Sequence, residues 1–269
     1  MTTKIKIGAL ISGGGSNLQA IIDACEKGAI DGRVVFVGSD NPAAGGIERA
    51  ARHNIPTFVV DYGSIIGQYD RAPNAAAIPQ GIDLDALLAK QTLFKEIRDA
   101  AKIRRFFVTR VIAEAKLVEQ IQAFPFDLLI LAGFMRNLTP YFIDSINTER
   151  KTPRIMNIHP ALLPAFAGVD GYGDTFRYGC KIGGCTVHFI DYGEDSGPII
   201  GQRAFQIQPD DTLASIRAKG LKLEWELYPR CIQLFAQKRL RMAKKTYELP
   251  NGKTTRRTVV EIVDSVFIK

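Results

Sequence analysis

The amino-acid sequence predicts an α/β fold with a doubly wound, mostly parallel sheet, and three observations lead to this prediction. Short β-branched apolar segments alternate with segments of helical spacing over residues 5–60, a pattern typical of βαβ units. The run Leu128-Leu129-Ile130-Leu131 is apolar throughout, as expected for a central strand buried on both faces. Near the C-terminus, Asn251-Gly252 stands between two short β-prone segments and predicts a small hairpin.

The first part of the chain is predicted as three strands and two helices in strict alternation. Leu18, Ile21, Ile22 and Cys25 recur at helical spacing, which predicts the first helix. Turn-forming residues, as in Ser39-Asp40-Asn41-Pro42, separate the elements. The predicted order is a strand over 5–11, a helix over 18–27, a strand over 34–37, a helix over 46–53 and a strand over 57–60.

The chain then enters an unusually long crossover, which we treat as a helical insertion over residues 62–122. Its first part, 62–79, is rich in Gly, Ala and Pro and is predicted to be loop-like. Its second part, 84–122, has helical spacing and many charges, and we predict two helices there. The strands predicted after it are 127–132, 154–158 and 185–190.

The C-terminal part is predicted as a long helix followed by the hairpin. Asp210 or Asp211 is expected to cap this helix, which runs to about residue 239, and Pro229 is expected to end a turn or kink it. We therefore expect one main domain over residues 1–240 and a basic hairpin tail over residues 241–269.

The composition excludes several classes of protein. With 46% hydrophobic and 23% charged residues among 269, the chain resembles ordinary globular proteins. No apolar run approaches the roughly 20 residues that span a bilayer, and no signal-like segment begins the chain, so we expect the cytoplasm. The four cysteines lack metal-ligand spacing, and we expect free thiols and no metal. The net charge of +7 suits anionic small substrates, not nucleic acid.

The Gly-rich segment Gly13-Gly14-Gly15-Ser16-Asn17 is a candidate phosphate site. It follows the first strand and opens the first helix, where glycines let backbone N–H groups approach an anion and the helix N-terminus adds a partial positive charge. A tight strand-to-helix turn explains the same residues equally well. The segment matches neither the Walker A pattern nor GxGxxG, so the sequence does not support nucleotide binding.

Asn157 and His159 form the sharpest signal in the sequence. They lie two apart in the strand-like Asn157-Ile158-His159-Pro160 and therefore face the same side of the sheet. An amide donor beside an imidazole can stabilise a tetrahedral oxyanion and exchange a proton near neutral pH. A buried, hydrogen-bonded histidine at a strand end is the alternative interpretation.

A carboxylate that orients this imidazole is expected from a distant part of the chain, and Asp195 is the candidate. It lies in the loop after the strand that contains Thr186 and His188, and strand pairing could bring it beside His159. An Asp before Ser-Gly-Pro is also a common turn former, and Asp191 and Glu194 are local competitors.

Five motifs with this chemistry occur in order between residues 12 and 229. They are the Gly-rich loop, Leu131-Ala132-Gly133-Phe134-Met135-Arg136, Asn157-Ile158-His159-Pro160-Ala161-Leu162-Leu163-Pro164, Thr186-Val187-His188-Phe189 with Asp195-Ser196-Gly197-Pro198-Ile199-Ile200, and Glu224 five residues before Pro229. Together they resemble the glycinamide ribonucleotide (phosphoribosylglycinamide) formyltransferases, a folate-dependent formyltransferase family with a Rossmann-like fold.

The resemblance implies transfer of a formyl group from 10-formyltetrahydrofolate to the amine of glycinamide ribonucleotide in purine biosynthesis, through a tetrahedral intermediate. Both ligands are small molecules; no nucleic acid or membrane partner is implied, and a homodimer is compatible with it. The residue roles that the resemblance implies are catalysis by Asn157, His159 and Asp195, binding of the 5′-phosphate by Gly13, Gly14, Gly15, Ser16 and Asn17, binding of the ribose by Glu224, and a substrate–folate boundary at Met135, Arg136 and Leu138.

Two segments depart from the family pattern, and other functions share the catalytic residues. Residues 165–174 lack the expected His of the folate loop, and the 62–122 crossover is longer than usual. Formyltetrahydrofolate hydrolase would use the same set with water, although an additional N-terminal domain is expected there. A formyltransferase that acts on another amine, as on a tRNA or a sugar, and a non-catalytic phosphate-binding module are the remaining alternatives.

Overall fold

A seven-stranded sheet forms the centre of the molecule, within residues 4–75, 77–94, 99–148 and 152–264, which the computed structural model describes. The strands are β1 (Ile5–Ile11), β2 (Gly32–Ser39), β3 (Thr57–Val59), β4 (Leu128–Leu131), β5 (Ile155–His159), β6 (Ile182–Phe189) and β7 (Ile199–Gln206). Their order is β3-β2-β1-β4-β5-β6-β7. Pairs from β3 to β5 are parallel, whereas β5–β6 and β6–β7 are antiparallel. The predicted mostly parallel sheet is confirmed.

Helices cover both faces of this sheet, as a doubly wound fold requires. Ile11 of β1 packs in one core with Leu18 and Tyr228, whereas Leu10 belongs to the core on the opposite face, with Leu117. This alternation follows from the two-residue period of a strand. The helices are α1 (Ser16–Glu26), α2 (Gly46–Arg52), α3 (Tyr62–Arg71), α4 (Leu84–Lys90), α5 (Ala100–Gln122), α6 (Pro140–Ile146), α7 (Gly171–Arg177) and α8 (Leu213–Ala236).

The insertion is more helical than its composition suggests. The prediction of a loop over 62–79 is wrong for its first half, which forms α3. Asp61 caps this helix by accepting a hydrogen bond from the Ser64 N–H at 3.0 Å, and Tyr62 and Ile65 bury its apolar face. The two helices predicted over 84–122 are confirmed as α4 and α5.

The structure corrects the expected start of the long C-terminal helix. The cap is Thr212, not Asp210 or Asp211, and it forms a capping box with Ser215. The Thr212 hydroxyl accepts the Ser215 N–H at 3.2 Å, and the Ser215 hydroxyl accepts the Thr212 N–H at 2.9 Å. Pro229 lies inside α8. The sequence patterns also left β7, α6 and α7 unpredicted.

The C-terminal hairpin consists of β8 (Leu240–Glu248) and β9 (Thr254–Ile262), which pair antiparallel and are longer than predicted. Leu240, Met242 and Val260 pack against the core on the α1 and α8 face. The division into residues 1–240 and 241–269 stays a prediction, and residues 265–269 lie outside the described chain. Among the described residues, no helix is long and apolar enough to cross a membrane.

Candidate active site

A cleft of about 400 Å³ opens at the carboxyl edge of the sheet. Its walls include Leu131 at the end of β4, Asn157 and His159 on β5, Asp195 after β6, and Glu224 on α8. The cleft lies next to the point where the chain leaves β1 for β2 on one side and returns as β4 on the other. Open α/β sheets usually bind their ligands at such a point.

The cleft brings the three predicted catalytic side chains together. Asn157 and His159 both lie on β5, and the Nδ1 atom of His159 is 3.1 Å from Oδ2 of Asp195. His159 is 3% exposed. The two local competitors of Asp195 are engaged elsewhere, because Asp191 accepts hydrogen bonds from its own loop and Glu194 accepts one from the Asn137 amide at 3.1 Å.

Both ring nitrogens of His159 face hydrogen-bond acceptors. Nδ1 faces the Asp195 carboxylate, and Nε2 lies 2.8 Å from the backbone carbonyl of Phe166. A carbonyl and a carboxylate accept hydrogen bonds and cannot donate them. The two contacts therefore form together as hydrogen bonds only when both nitrogens carry a hydrogen, that is, in the imidazolium form.

Asp195 is held by several groups. Its backbone has φ 48°, a left-handed conformation that Asp tolerates better than most residues. The Gly168 N–H donates to its Oδ2 at 2.9 Å, and Nε2 of His188 lies 3.6 Å from its Oδ1. Burial raises the pKa of Asp195, but His188, His159 and the Gly168 N–H outweigh burial and hold this pKa below its usual value.

His188 is a site residue to which the sequence analysis assigned no role. It is fully buried and directly opposite Asn157 in the antiparallel β5–β6 pair. Its Nδ1 lies 3.0 Å from the Phe189 carbonyl, and its Nε2 forms a hydrogen bond of 3.3 Å with the side-chain amide of Asn157. This bond orients the Asn157 amide. The antiparallel register of β5 and β6, which places His188 opposite Asn157, is the signal from which this role could have been predicted.

Comparison with known proteins identifies this arrangement. Residues 5–232 match a family model described as formyl transferase. The chain belongs to the formyl transferase family. The resemblance seen in the sequence motifs is thus confirmed over most of the chain.

Two curated relatives and one solved structure of the family are similar over nearly their full length. The phosphoribosylglycinamide formyltransferase of Haemophilus influenzae is 32% identical, covering 88% of this chain and 90% of the relative. The phosphoribosylglycinamide formyltransferase of Bacillus subtilis is 33% identical, covering 85% of this chain and 93% of the relative. The crystal structure of glycinamide ribonucleotide transformylase 1 from Symbiobacterium toebii is 34% identical with a TM-score of 0.68, covering 98% of this chain and 96% of that one.

The Gly-rich loop of this family member is braced by α2. Gly15, with φ 72°, is the N-cap of α1, which has no side-chain cap hydrogen bond. The Gly13 carbonyl accepts the Gly46 N–H at 3.0 Å, and the Gly14 carbonyl accepts from Nε of Arg49 at 2.7 Å. The backbone N–H groups of residues 13–16 donate to no acceptor among the described residues. Arg49 adds a positive charge that the motif analysis missed.

Asn17 joins this loop to Glu224 at one end of the cleft. Its amide donates to Oε2 of Glu224 at 2.7 Å, and the Tyr172 hydroxyl donates to Oε1 at 2.6 Å. Burial raises the pKa of Glu224, and these two hydrogen bonds only partly oppose the rise. The buried Oδ1 of Asn17 accepts no hydrogen bond from the described part of the chain. Tyr172 was not singled out in the sequence.

The predicted boundary residues Met135, Arg136 and Leu138 also line the cleft, and Leu138 belongs to the core on the α5 and α6 face of the sheet. The Met135 N–H donates to the Ser12 hydroxyl at 2.8 Å, which ties this segment to the end of β1. Arg136 pairs with Asp40, and its guanidinium lies over a tyrosine ring of α3. Within the described ranges, no group of three or more His, Cys, Asp or Glu side chains could hold a metal ion.

Proposed function

We propose that this chain is a phosphoribosylglycinamide formyltransferase, which transfers the formyl group of 10-formyltetrahydrofolate to the amine of glycinamide ribonucleotide in purine biosynthesis. One observation carries the proposal: His159 is paired with Asp195 at 3.1 Å beside Asn157, in a cleft that both Asn17 of the Gly-rich loop and Leu138 line. The names of the H. influenzae and B. subtilis relatives support the choice of acceptor.

The chemistry requires a site that stabilises an oxyanion. The amine nitrogen bonds to the formyl carbon, and negative charge develops on the formyl oxygen. Asn157 and the His159 imidazolium donate hydrogen bonds to that oxygen, which takes the place of the Phe166 carbonyl as acceptor for Nε2. The bond from the formyl carbon to the folate nitrogen then breaks, with a proton lost from the amine and one gained by that nitrogen. One such donor lowers the barrier by about 3 kcal/mol.

Asp195 supports this step through charge and position. A carboxylate 3.1 Å from Nδ1 attracts positive charge that develops on the ring and holds the ring in one orientation. The hydrogen bond from Gly168 and the contact with His188 keep the carboxylate in place. Asp195 thereby assists the proton transfer from the amine.

The two ends of the cleft suit two different ligands. At the α1 and α8 end, Gly13, Gly14, Gly15, Ser16 and Asn17 bind the 5′-phosphate through backbone N–H groups and the helix N-terminus. Glu224 accepts hydrogen bonds from the ribose hydroxyls. At the other end, the folate lies against Met135, Arg136 and Leu138, and the apolar side chains there fit a flat ring system.

The compartment and the assembly also remain proposals. The four cysteines are free thiols, and Cys25, Cys185 and Cys231 are buried, which is typical of a reducing compartment such as the cytoplasm. A homodimer stays a prediction. Light scattering of the purified chain, over a range of protein concentration, measures its mass directly.

One assay tests the function against its closest alternative. The purified protein is incubated with 10-formyltetrahydrofolate and glycinamide ribonucleotide, and both formylated ribonucleotide and free formate are measured. We expect formylated ribonucleotide in a one-to-one ratio with tetrahydrofolate. Formate release at the same rate without the acceptor would instead assign the chain as a hydrolase. Activity only with another amine would exclude the proposed acceptor.

A further inference from the structure

The insertion contributes directly to the cleft. Leu93, which lies between α4 and α5, lines the cleft beside the residues of the main domain. Among the described residues of 62–122, it is the one that reaches the cleft wall. We call residues 90–94 the strap, because this short segment connects the insertion to the loop that carries Asp195.

The strap is fastened at both of its ends. At its start, Lys90 pairs with Asp144 of α6 at 2.5 Å, and its ammonium lies 5.0 Å from the centre of the Tyr192 ring. Tyr192 completes this contact by donating its hydroxyl to the same Asp144 carboxylate at 2.6 Å. At its end, the Phe94 ring packs edge-on against Phe106 of α5, with centroids 4.8 Å apart.

The middle of the strap docks onto the loop between β6 and β7. The Thr92 N–H donates to the Tyr192 carbonyl at 3.0 Å. The approach is close, because a Cβ atom at Gly193 would lie 2.8 Å from Oγ1 of Thr92, and closer still to Oγ of Ser196 in its own loop. Glycine at this position therefore lets the strap contact the loop. The fixed backbone on either side holds Leu93 at the cleft.

The position of the strap identifies the ligand that Leu93 would contact. The strap packs on α5 and α6, which cover the opposite face of the sheet from α1 and α8. The Asn17–Glu224 pair lies on the α1 and α8 side. The strap and this pair thus lie towards opposite faces of the sheet, so the strap lies on the side away from the phosphate loop.

We propose that the strap completes the folate half of the cleft and that Leu93 is a specificity-determining residue that packs against the flat, apolar ring system of the folate. This inference rests on the proposed function, because it concerns the same cleft. It assigns a role to the insertion: without the strap, this wall of the folate half would be open to solvent, and the Tyr192–Gly193 segment would lose its packing partner.

The test compares Leu93→Ala with the matched variant Leu249→Ala, at the exposed end of the hairpin. Tetrahydrofolate binding is measured by calorimetry, and kinetics are measured with each substrate varied in turn. We expect Leu93→Ala to weaken tetrahydrofolate binding and raise its KM for the formyl folate about tenfold, the effect of a few lost methylene contacts. Its kcat and its KM for glycinamide ribonucleotide should stay within about twofold of wild type.

Equal tetrahydrofolate affinity in Leu93→Ala and Leu249→Ala would overturn the inference. So would an equal rise of KM for both substrates. These measurements do not test the proposed function, which is tested by formyl transfer with the wild-type chain. A failure of Leu93→Ala to change folate binding, with transfer intact, rejects only the role of the strap.

A second pair of variants tests the anchor. Lys90→Met removes the ion pair with Asp144, and Arg105→Met removes the pair with Asp70 on the outer side of the insertion. The two pairs have the same exposure, 46% and 44% for their two side chains. We expect Lys90→Met to raise the KM for the formyl folate about threefold, and Arg105→Met to leave it unchanged. The same KM in both variants would show that the anchor does not position Leu93.

Discussion

The substitution Asp195→Asn separates the charge of this residue from its hydrogen bonds. An asparagine amide can place its oxygen where Oδ2 accepts from His159 Nδ1 and the Gly168 N–H. Its nitrogen then takes the place of Oδ1, which lies 3.6 Å from Nε2 of His188 in the native protein. The two hydrogen bonds to Oδ2 are thus retained, whereas the negative charge is lost. We therefore expect a folded protein with a defect in catalysis.

The size of the effect follows from the geometry. Two unit charges 3.1 Å apart attract each other by about 5 kcal/mol at an effective dielectric constant of roughly 20. The retained hydrogen bond preserves part of this energy. We expect kcat to fall about 10³-fold, which corresponds to about 4 kcal/mol. Both KM values should change less than about threefold, because the carboxylate acts on the reacting group through His159.

The assay is steady-state formyl transfer at saturating concentrations of both substrates, with thermal unfolding to confirm that the variant folds. Asp191→Asn is the matched control, since Asp191 lies in the same loop and accepts hydrogen bonds from Gly193 and Ser196. It should keep nearly full activity. A folded Asp195→Asn enzyme with more than about a third of wild-type kcat would refute the reasoning, as would an equal loss in Asp191→Asn.

Three further predictions concern binding and stability. Glu224→Gln removes the carboxylate charge and replaces one of its two acceptor oxygens with an N–H donor, so we expect KM for glycinamide ribonucleotide to rise about tenfold. The exposed Glu226→Gln on the same helix should not change this KM, and an unchanged KM in both variants would remove the ribose role. Gly15→Ala would place a Cβ atom 2.8 Å from the Gly46 backbone, at a residue with φ 72°, and should lower the free energy of unfolding by about 2 kcal/mol. Gly13→Ala is the control, because a Cβ atom there meets nothing within 4 Å. Equal melting temperatures of the two variants would contradict the argument. Burial raises the pKa of Glu114 to about 7. Because the folded state then binds the proton more tightly than the unfolded state, this carboxyl lowers stability as pH rises from about 4.5 to about 7. Glu114→Gln should thus gain stability over wild type by about 3 kcal/mol more at pH 8 than at pH 4, and a pH-independent difference in denaturant midpoints would speak against it.

Most of the central sheet was predictable because its signals are local. Strands β1 and β4 are short, mostly apolar runs bounded by turn residues, and β4, which is buried throughout, contains no polar residue. The helix of the insertion that was missed, α3, contains Gly63 and Gly67, which disfavour a helix in isolation. It forms because Tyr62 and Ile65 are buried against the sheet. Strand β7 was missed because it is an edge strand with mostly exposed residues.

The sequence by itself determined which functional groups the site contains. The two-residue period of a strand placed Asn157 and His159 on one face, and the Gly-rich loop before α1 marked a helix N-terminus able to bind an anion. Both inferences depend on neighbours within a few residues, which a sequence displays directly.

Only the tertiary structure decided how distant parts meet. The antiparallel return of β6 puts His188 opposite Asn157 and brings Asp195 to His159, and the strap brings Leu93 from the insertion to the cleft. These contacts depend on strand register and on the packing of helices against the sheet. Such interactions join residues that lie far apart in the chain, and no local pattern records them.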